Sequence, residues 1–222
     1  MSPKVKYYWL LAIIPVCFIL WFWFSQNDKT PVRYLPYYGP KFVKNSGDSS
    51  YHTVSDFSFT DQDGLTVTND SLKNKIFVSE FFFTTCQSIC PIMNNNMVAV
   101  YKQFRKDKRV RILSHTVDPE TDSAGVLKVY AGAHGVSDRH WLFLTDNKKD
   151  LYDMARKSYL LDASEGDGGK DDFVHTQNFA LVDWNRNIRG YYDGTDSIDV
   201  GRMIKDMNVL LQEYEFKKGA NP

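Results

Sequence analysis

Residues 76–91 read IFVSEFFFTTCQSICP and join a nearly continuous apolar run to two cysteines and a proline. An apolar run such as Ile76–Phe83 is typical of a central strand that is covered on both faces. Pro91 suits the first turn of a helix, because the amide hydrogens there have no partner within the helix. This stretch therefore predicts a buried strand that leads directly to a cysteine pair at the start of a helix.

The flanking sequence alternates between strand and helix patterns. A hairpin precedes the run, with strands at 57–60 and 65–68 around a turn at 61–64. After it we predict helices at about 91–106, 122–134, 149–159 and 198–213, and strands at 110–117, 141–144, 179–182 and 188–192. The turn at 183–187 predicts that the sheet ends in an antiparallel hairpin. The pattern indicates an α/β fold with a central mixed sheet and helices on both faces.

The N-terminus predicts a membrane anchor. Residues 7–24 contain no charged residue and approach the shortest length that spans a bilayer as a helix. Lys4 and Lys6 precede them, so residues 1–6 are expected in the cytoplasm and the rest of the chain outside it. A cleaved signal peptide is the alternative, but no small-residue cleavage site follows the apolar run. We expect a single-pass protein of a bacterial cytoplasmic membrane, with a linker at 25–51 and a soluble extracytoplasmic domain at 52–222.

Charge argues against one class of partner. The sequence has 27 Lys and Arg against 27 Asp and Glu, which gives a net charge of zero. A basic excess of the kind that follows a phosphate backbone is therefore missing, and nucleic acid is not expected as a partner.

The cysteine pair is predicted to be a chemical site. Cys17 lies in the apolar N-terminal run and is most simply a small buried side chain. Cys86 and Cys90 would close too short a loop to serve as a structural staple. A spacing of four puts both sulfurs on one helix face, and a helix start lowers thiol pKa values. Metal binding and disulfide exchange both need the thiolate, and two inert buried cysteines are the remaining alternative.

His175 favours a metal. It follows an acidic, glycine-rich segment at 162–172, predicted to be a mobile loop, and precedes the strand at 179–182. In a thioredoxin-type arrangement the connection into that strand lies against the start of the cysteine helix. Cys86, Cys90 and His175 would then form a three-coordinate soft site, which suits Cu(I), whereas structural zinc normally has a fourth protein ligand.

Four motifs in this order resemble the Sco/SenC family: TCQSICP at 85–91, VDPETD at 117–122, WLFLT at 141–145 and VHT at 174–176. The resemblance spans about 55–211 and includes the single N-terminal anchor. It implies a thioredoxin-like fold, copper held by Cys86, Cys90 and His175, assistance to assembly of the copper A centre of cytochrome c oxidase, and a thiol-disulfide role. Partners would be the copper-bearing oxidase subunit and a copper donor protein. The sequence departs from the commonest motif at Gln87 and Ser88.

Other polar residues have competing interpretations. Asp118 and Asp122 could line the cleft or attract a partner, although turn and N-cap chemistry explains them more simply. Glu80 either carries a shifted pKa near the cysteines or faces an edge or solvent. The remaining histidines are interpreted as surface or packing residues and several aromatic residues as core, namely His52, His115, His134, His140, Phe81, Phe82, Phe83 and Trp141.

Three functions follow as hypotheses. The first is a copper metallochaperone that holds one copper, as Cu(I) or alternatively Cu(II). The second is a thiol-disulfide oxidoreductase that keeps cysteines of an oxidase subunit reduced and needs Cys86 and Cys90 but not His175. The third, a peroxide-reducing enzyme on the same fold, is the weakest because no motif points to peroxide activation.

Overall fold

The structure is a computed structural model that describes residues 13–22, 33–43, 49–161 and 176–220. The chain divides into two compact units, residues 1–33 and 34–222. In the first unit, residues 13–22 form a helix, α1, with exposed side chains. Over the described ranges, no helix has both the length and the apolar character needed to cross a bilayer.

A seven-stranded sheet forms the centre of the second unit, in the order β4-β3-β7-β6-β5-β8-β9. The strands β5, β6 and β7 are parallel, whereas β3 and β8 run antiparallel to their neighbours β7 and β5. The predicted mixed sheet and its closing β8–β9 hairpin are therefore confirmed. The strand bounds are β3 Ser58–Asp61, β4 Thr66–Thr68, β5 Ile76–Phe82, β6 Val110–Thr116, β7 Trp141–Thr145, β8 Asn178–Val182 and β9 Ile188–Asp193.

Helices cover both faces of the sheet, as predicted. One expected helix, 149–159, is in two parts: α4 ends at Asp153 and a π-helical turn, Met154–Ser158, continues it. The last helix extends beyond the predicted 213 to residue 220. The bounds are α2 Cys90–Phe104, α3 Ala124–Ala133, α4 Lys148–Asp153 and α5 Ser197–Ala220, with a 3₁₀ turn at Asn69–Leu72.

The pleat of β5 divides the core into two layers. All seven residues of this strand are buried, and successive side chains point to opposite faces. Ile76, Val78 and Phe82 pack in the cluster formed with α2, α3 and α5. Phe77 and Phe81 pack in the other cluster, which includes α4 and the π-helical turn. A strand covered on both faces has no polar side to alternate with, which explains its continuous apolar sequence.

The domain begins earlier than the predicted boundary at 52. Leu35 is buried, and its amide donates a hydrogen bond to Glu213 Oε1 on α5 at 2.6 Å. The buried guanidinium of Arg189 donates to the carbonyls of Leu35 and Pro36 and pairs with Glu213. Strands β1, Lys41–Val43, and β2, Ser49–Tyr51, form a separate antiparallel pair. Within the predicted linker at 25–51, the described residues 35–43 and 49–51 thus include regular contacts.

Candidate metal and thiol site

The two cysteines lie where β5 passes into α2. The strand ends at Phe82, and the amide of Cys86 donates to the carbonyl of Phe83 at 3.3 Å within the connecting turn. The helix begins at Cys90 with Pro91 in its first turn, and Ile89 at the N-cap makes no side-chain cap bond. Cys86 therefore precedes the helix, and the prediction that both sulfurs share one helix face is wrong. The turn, and not helical periodicity, brings them together.

The Cys86 thiol is half-buried and reduced. Partial burial is the largest influence on its pKa and raises it. Hydrogen bonds from the Cys90 thiol, the amides of Ser88 and Cys90 and the Ser88 hydroxyl outweigh burial and lower the pKa of Cys86 to about 7. The predicted stabilisation of a thiolate at the helix start thus holds for Cys86, since amide hydrogens without helical partners point at its sulfur.

The Cys90 thiol has the opposite character. Only 4% of this residue is exposed, and burial, followed by the hydrogen bond with Cys86, raises the pKa of the thiol to about 12. One accessible, readily ionised sulfur therefore lies within hydrogen-bond reach of a buried, protonated one. A soft cation bound to Cys86 could replace the proton that the two sulfurs share, so this donor pair fits a thiophilic metal such as Cu(I).

His175 lies outside the described residues, as does the predicted loop at 162–172. The strand that follows it, β8, pairs antiparallel with β5, with Ser79 opposite Ala180, so β8 starts at the edge of the sheet where β5 ends. Across the described ranges, no three Cys, His, Asp or Glu side chains converge where they could hold a metal ion. The assignment of Cys86, Cys90 and His175 as ligands stays a prediction.

Asp122 holds the cysteine turn to the sheet and does not cap α3. The N-cap of α3 is Ser123, whose hydroxyl accepts from the amide of Val126, so the capping interpretation of Asp122 is wrong. The buried Asp122 carboxylate accepts hydrogen bonds from the Thr84 hydroxyl, from the Thr84 amide at 3.0 Å and from the Thr116 hydroxyl at 2.6 Å. Asp118 instead accepts backbone bonds from 121 and 122 in a turn, as its Asp-Pro sequence predicted.

Glu80 is fully buried in β5, which excludes the edge or solvent-facing position. Its Oε1 accepts a hydrogen bond from Ser114, whose hydroxyl in turn accepts from Trp141 Nε1 at 2.7 Å. Within the described part of the chain, Oε2 of Glu80 has no hydrogen-bond partner. Burial raises the pKa of this carboxyl to about 7, although the Ser114 bond opposes the shift. A group that ionises near neutral pH thus lies on the same side of the sheet as Cys90.

Two further residues support the start of α2, and sequence reasoning missed both. Asn94 is fully buried and donates to the carbonyl of Cys90 at 3.0 Å and to the hydroxyl of Tyr130 at 3.1 Å. Asn94 follows Cys90 by one helical turn, a signal visible in the sequence. Tyr130 comes from α3, and only the packing of α3 against α2 brings it there.

The other histidines are packing residues, as predicted. His115 is fully buried among Phe57, Phe59, Phe81 and Tyr159, and this burial lowers its pKa to about 3. The rings of His52, His134 and His140 contact the Ser158 carbonyl, the Tyr130 carbonyl and the Asp138 carboxylate.

Fold and site together define a thioredoxin-like α/β domain with a cysteine pair at a strand–helix junction. The SCO1/SenC family model matches residues 45–212, more than half of the chain. The chain belongs to this family, which confirms the resemblance inferred from its four motifs.

Individual relatives agree with this assignment. The SCO1 protein homolog of Bacillus subtilis (strain 168) is 32% identical over 162 residues, which are 72% of this chain and 83% of that protein. A SCO1/SenC family lipoprotein from Bacillus anthracis str. Ames matches with a TM-score of 0.63 and 29% identity over 72% of this chain and 95% of that one.

Two further solved structures carry functional descriptions of their own. BsSco is described as a member of the Sco family of cytochrome c oxidase assembly proteins with a disulfide switch. It is 31% identical with a TM-score of 0.61, over 71% of this chain and 92% of that one. ScoI of Bradyrhizobium japonicum, solved with copper bound, is 23% identical with a TM-score of 0.56 over 71% and 99% of the two chains. The latter likeness is one of fold.

Proposed function

We propose that this protein is a membrane-anchored copper metallochaperone that carries one copper ion on Cys86, Cys90 and His175 and delivers it during assembly of the copper A centre of cytochrome c oxidase. The observation that carries the proposal is the sulfur pair at the start of α2, with an accessible donor whose pKa is about 7 beside a buried one. Relatives that bind copper and assist oxidase assembly support it.

The two sulfurs would have different roles in the binding and release of copper. Copper is the cargo, and Cu(I) suits a site of two thiolates and an imidazole. Cys86 is exposed enough to exchange with an acceptor's ligand, while buried Cys90 stays in place because α2 and the Asn94 bond hold its backbone. Binding releases the thiol protons, so copper affinity should rise with pH until Cys90 also loses its proton.

Anchoring is part of the same proposal. Residues 7–24 would cross a bacterial cytoplasmic membrane once, with residues 1–6 inside and the copper-binding domain outside. The partners would be the copper-bearing oxidase subunit and a copper donor protein.

Copper stoichiometry and Cu(I) affinity, measured on the detergent-purified, reduced full chain by competition with a chromogenic chelator, test the chaperone. We expect one copper in the wild type and weaker binding in Cys86→Ala, Cys90→Ala and His175→Ala. Cys17→Ala and His140→Ala are matched controls that should bind as the wild type does. If His175→Ala retained copper as tightly as the wild type, His175 would be rejected as the third ligand. If the wild type retained no copper, the chaperone proposal would be rejected.

A thiol-disulfide oxidoreductase is the second candidate, and the unequal pKa values of Cys86 and Cys90 favour it. The Cys86 thiolate would attack a client disulfide, form a mixed disulfide and release one client thiolate. Cys90 would then lose its proton, form the Cys86–Cys90 disulfide and release the second client sulfur, so that the client is reduced as the pair is oxidised. Reduction of an oxidised client by His175→Ala at the wild-type rate supports this role, and absence of exchange in the wild type rejects it.

A further inference from the structure

The cysteines and a cluster of cations lie at opposite ends of α2. The helix starts at Cys90 and spans 15 residues to Phe104, which corresponds to roughly 20 Å. Cations lie at its far end and on the neighbouring end of α5, all of them exposed except Lys217, which is half-buried. We call this surface the basic end, and it comprises Lys102, Arg105, Lys106, Lys108, Lys217 and Lys218.

Among the residues that the structure describes, no carboxylate forms an ion pair with a cation of the basic end. Among described residues, the two adjacent acids, Asp107 and Glu215, both pair with Arg109, at 2.6 Å each. The carboxylates pair with none of Lys102, Arg105, Lys106 or Lys108. A helix C-terminus favours cations in its last turn, but that does not account for Lys108, which lies beyond α2 before β6. A local positive potential therefore remains in a chain of zero net charge.

Aromatic side chains accompany the cations. Lys217 lies over the Trp184 ring at 5.3 Å, and Trp184 packs edge-on against Tyr214. Phe216, on the same turn of α5, is 53% exposed. Trp184 and Tyr214 are half-buried, so Phe216 is the most exposed ring of the three. Aromatic rings beside lysines are typical of surfaces that rest in the headgroup region of a bilayer.

The beginning of the domain lies at the same end. The Leu35 amide bonds to Glu213, which precedes Phe216 by less than one turn of α5. The first residues of the second unit therefore lie beside the basic end. An anionic lipid surface accounts for the cations, the aromatic rings and the position of this segment together, whereas an acidic protein would explain the cations alone.

We infer that the basic end binds an anionic phospholipid surface, which holds the cysteine site at the far end of α2 away from the lipid and open to a protein partner. This inference extends the proposed membrane anchoring. Each cation near an anionic surface raises the population in contact by about five-fold, and salt weakens the attraction.

Lysine acylation of the full chain in vesicles tests the inference. The chain is reconstituted in phosphatidylcholine alone or in phosphatidylcholine with phosphatidylglycerol, and a membrane-impermeant acylating reagent is applied. We expect Lys217 and Lys218 to react at least about five-fold more slowly in the anionic vesicles, with recovery at high salt. Lys128, on α3, should react equally in both. Equal reactivity of Lys217 and Lys218 in both vesicles would overturn the inference.

Variants separate charge from folding. Replacing Lys102, Lys106 and Lys108 together by Gln should abolish the protection of Lys217 and Lys218. The control variant has Lys128, Lys149 and Lys157 replaced by Gln, which removes the same charge from side chains that are 67%, 67% and 73% exposed. In this control, Lys217 and Lys218 should stay protected. Protection that survives the first triple variant, or that appears only when an acidic protein is added, contradicts lipid binding.

Flotation of the same vesicles distinguishes this inference from the anchor. If the chain floats with both lipids but its lysines are not protected by the anionic lipid, the anchor is supported and the inference is rejected. If it floats only with the anionic vesicles, the anchor is rejected and the basic end is supported as the lipid contact. If it floats with neither, both are rejected.

Discussion

Cys86 and Cys90 have different chemistry although only three residues separate them. Cys86 accepts hydrogen bonds from two backbone amides and from Cys90, whereas Cys90 is buried against the core. Burial disfavours the thiolate and hydrogen bonds to sulfur favour it, so the balance differs between the two positions. Near neutral pH, Cys86 is therefore the sulfur that ionises, while Cys90 keeps its proton.

Alkylation of the reduced, metal-free protein should resolve the two thiols. We expect Cys86 to react with iodoacetamide with a half-maximal rate near pH 7, because its pKa is about 7, while Cys90 stays unreactive to higher pH. In Cys90→Ala the midpoint of Cys86 should move to higher pH, since a hydrogen-bond donor to its sulfur is lost. Mass spectrometry of the labelled peptides measures both rates. An unchanged Cys86 midpoint in Cys90→Ala would contradict the contact.

Glu80 and His115 should affect stability in opposite directions. Burial raises the pKa of Glu80 from 4.5 to about 7, so its contribution is full below 4.5 and is lost as pH rises through 7. Burial lowers the pKa of His115 from 6.5 to about 3, so its contribution is full above 6.5 and is lost as pH falls towards 3. Between pH 4.5 and 6.5 the two slopes oppose each other, and the free energy of unfolding should change little.

Single substitutions should separate the two slopes. In Glu80→Gln the free energy of unfolding should fall on acidification from pH 6.5, by up to about 1.4 kcal/mol per pH unit. In His115→Gln it should instead fall as pH rises from 4.5 to 6.5. Urea unfolding of the reduced protein over this range measures both slopes. Parallel pH profiles for the two variants would show that these groups do not carry the predicted shifts.

At the scale of elements, the turn between β5 and α2 depends on Asp122 from the connection between β6 and α3. Its carboxylate accepts from Thr84, on the cysteine turn, and from Thr116, at the end of β6. These two strands are parallel neighbours, so their carboxyl ends meet at one edge. The position of the cysteines therefore depends on a residue more than thirty positions further along the chain.

Asp122→Ala should lower the free energy of unfolding by about 2–4 kcal/mol, because it removes the acceptor of the buried Thr116 hydroxyl and of the half-buried Thr84 amide and hydroxyl. It should also weaken Cu(I) binding, since Cys86 follows Thr84 closely. Asp118→Asn is the matched control and should change stability by no more than about 0.5 kcal/mol, because its half-exposed side chain has no comparable set of bonds. Urea unfolding and chelator competition provide the measurements. Equal effects of the two substitutions would refute the role of Asp122.

At the scale of the whole molecule, a buried ionic network joins the start of the domain to its last helix. Arg189 on β9 pairs with Asp183 at 3.0 Å and with Glu213 on α5 at 2.9 Å, and it donates to the carbonyls of Leu35 and Pro36. Its guanidinium also lies 4.2 Å from the centroid of the Tyr37 ring. One side chain thereby connects the sheet, α5 and residues 35–37 at the start of the second unit.

Arg189→Met should lower the free energy of unfolding by about 3–5 kcal/mol, because two buried carboxylates lose their cation. It should also speed hydrogen exchange at the Leu35 amide, since Glu213 is no longer held in place to accept from it. Arg202→Met, which removes a 56% exposed arginine paired with Asp199, should cost no more than about 1 kcal/mol. If hydrogen exchange at the Leu35 amide in Arg189→Met were as slow as in the wild type, the Arg189 network would not be what holds residues 35–37 in place.

The sequence alone was sufficient for the strand and helix order and for placing the cysteine pair where a buried strand passes into a helix. Apolar periodicity and turn residues act over a few neighbours, and β5 and α2 follow such local rules closely. The bounds of α4 and the contacts of Leu35 and Pro36 with Arg189 were missed, because a π-helical turn and the Arg189 network depend on contacts between distant residues.

Tertiary structure alone decided the pKa values of the two thiols and the positions of the carboxylates near them. The sequence placed two similar thiols four positions apart, but their different pKa values come from which sulfur the core covers and which faces the free amides. It also left Asp122 and Glu80 open, since a carboxylate can cap a helix, face solvent or be buried. Those choices depend on neighbours such as Thr84, Ser114 and Trp141, which only the folded sheet brings within hydrogen-bond distance. Local sequence determined the elements and the reactive atoms, whereas burial and long-range hydrogen bonds determined their chemistry.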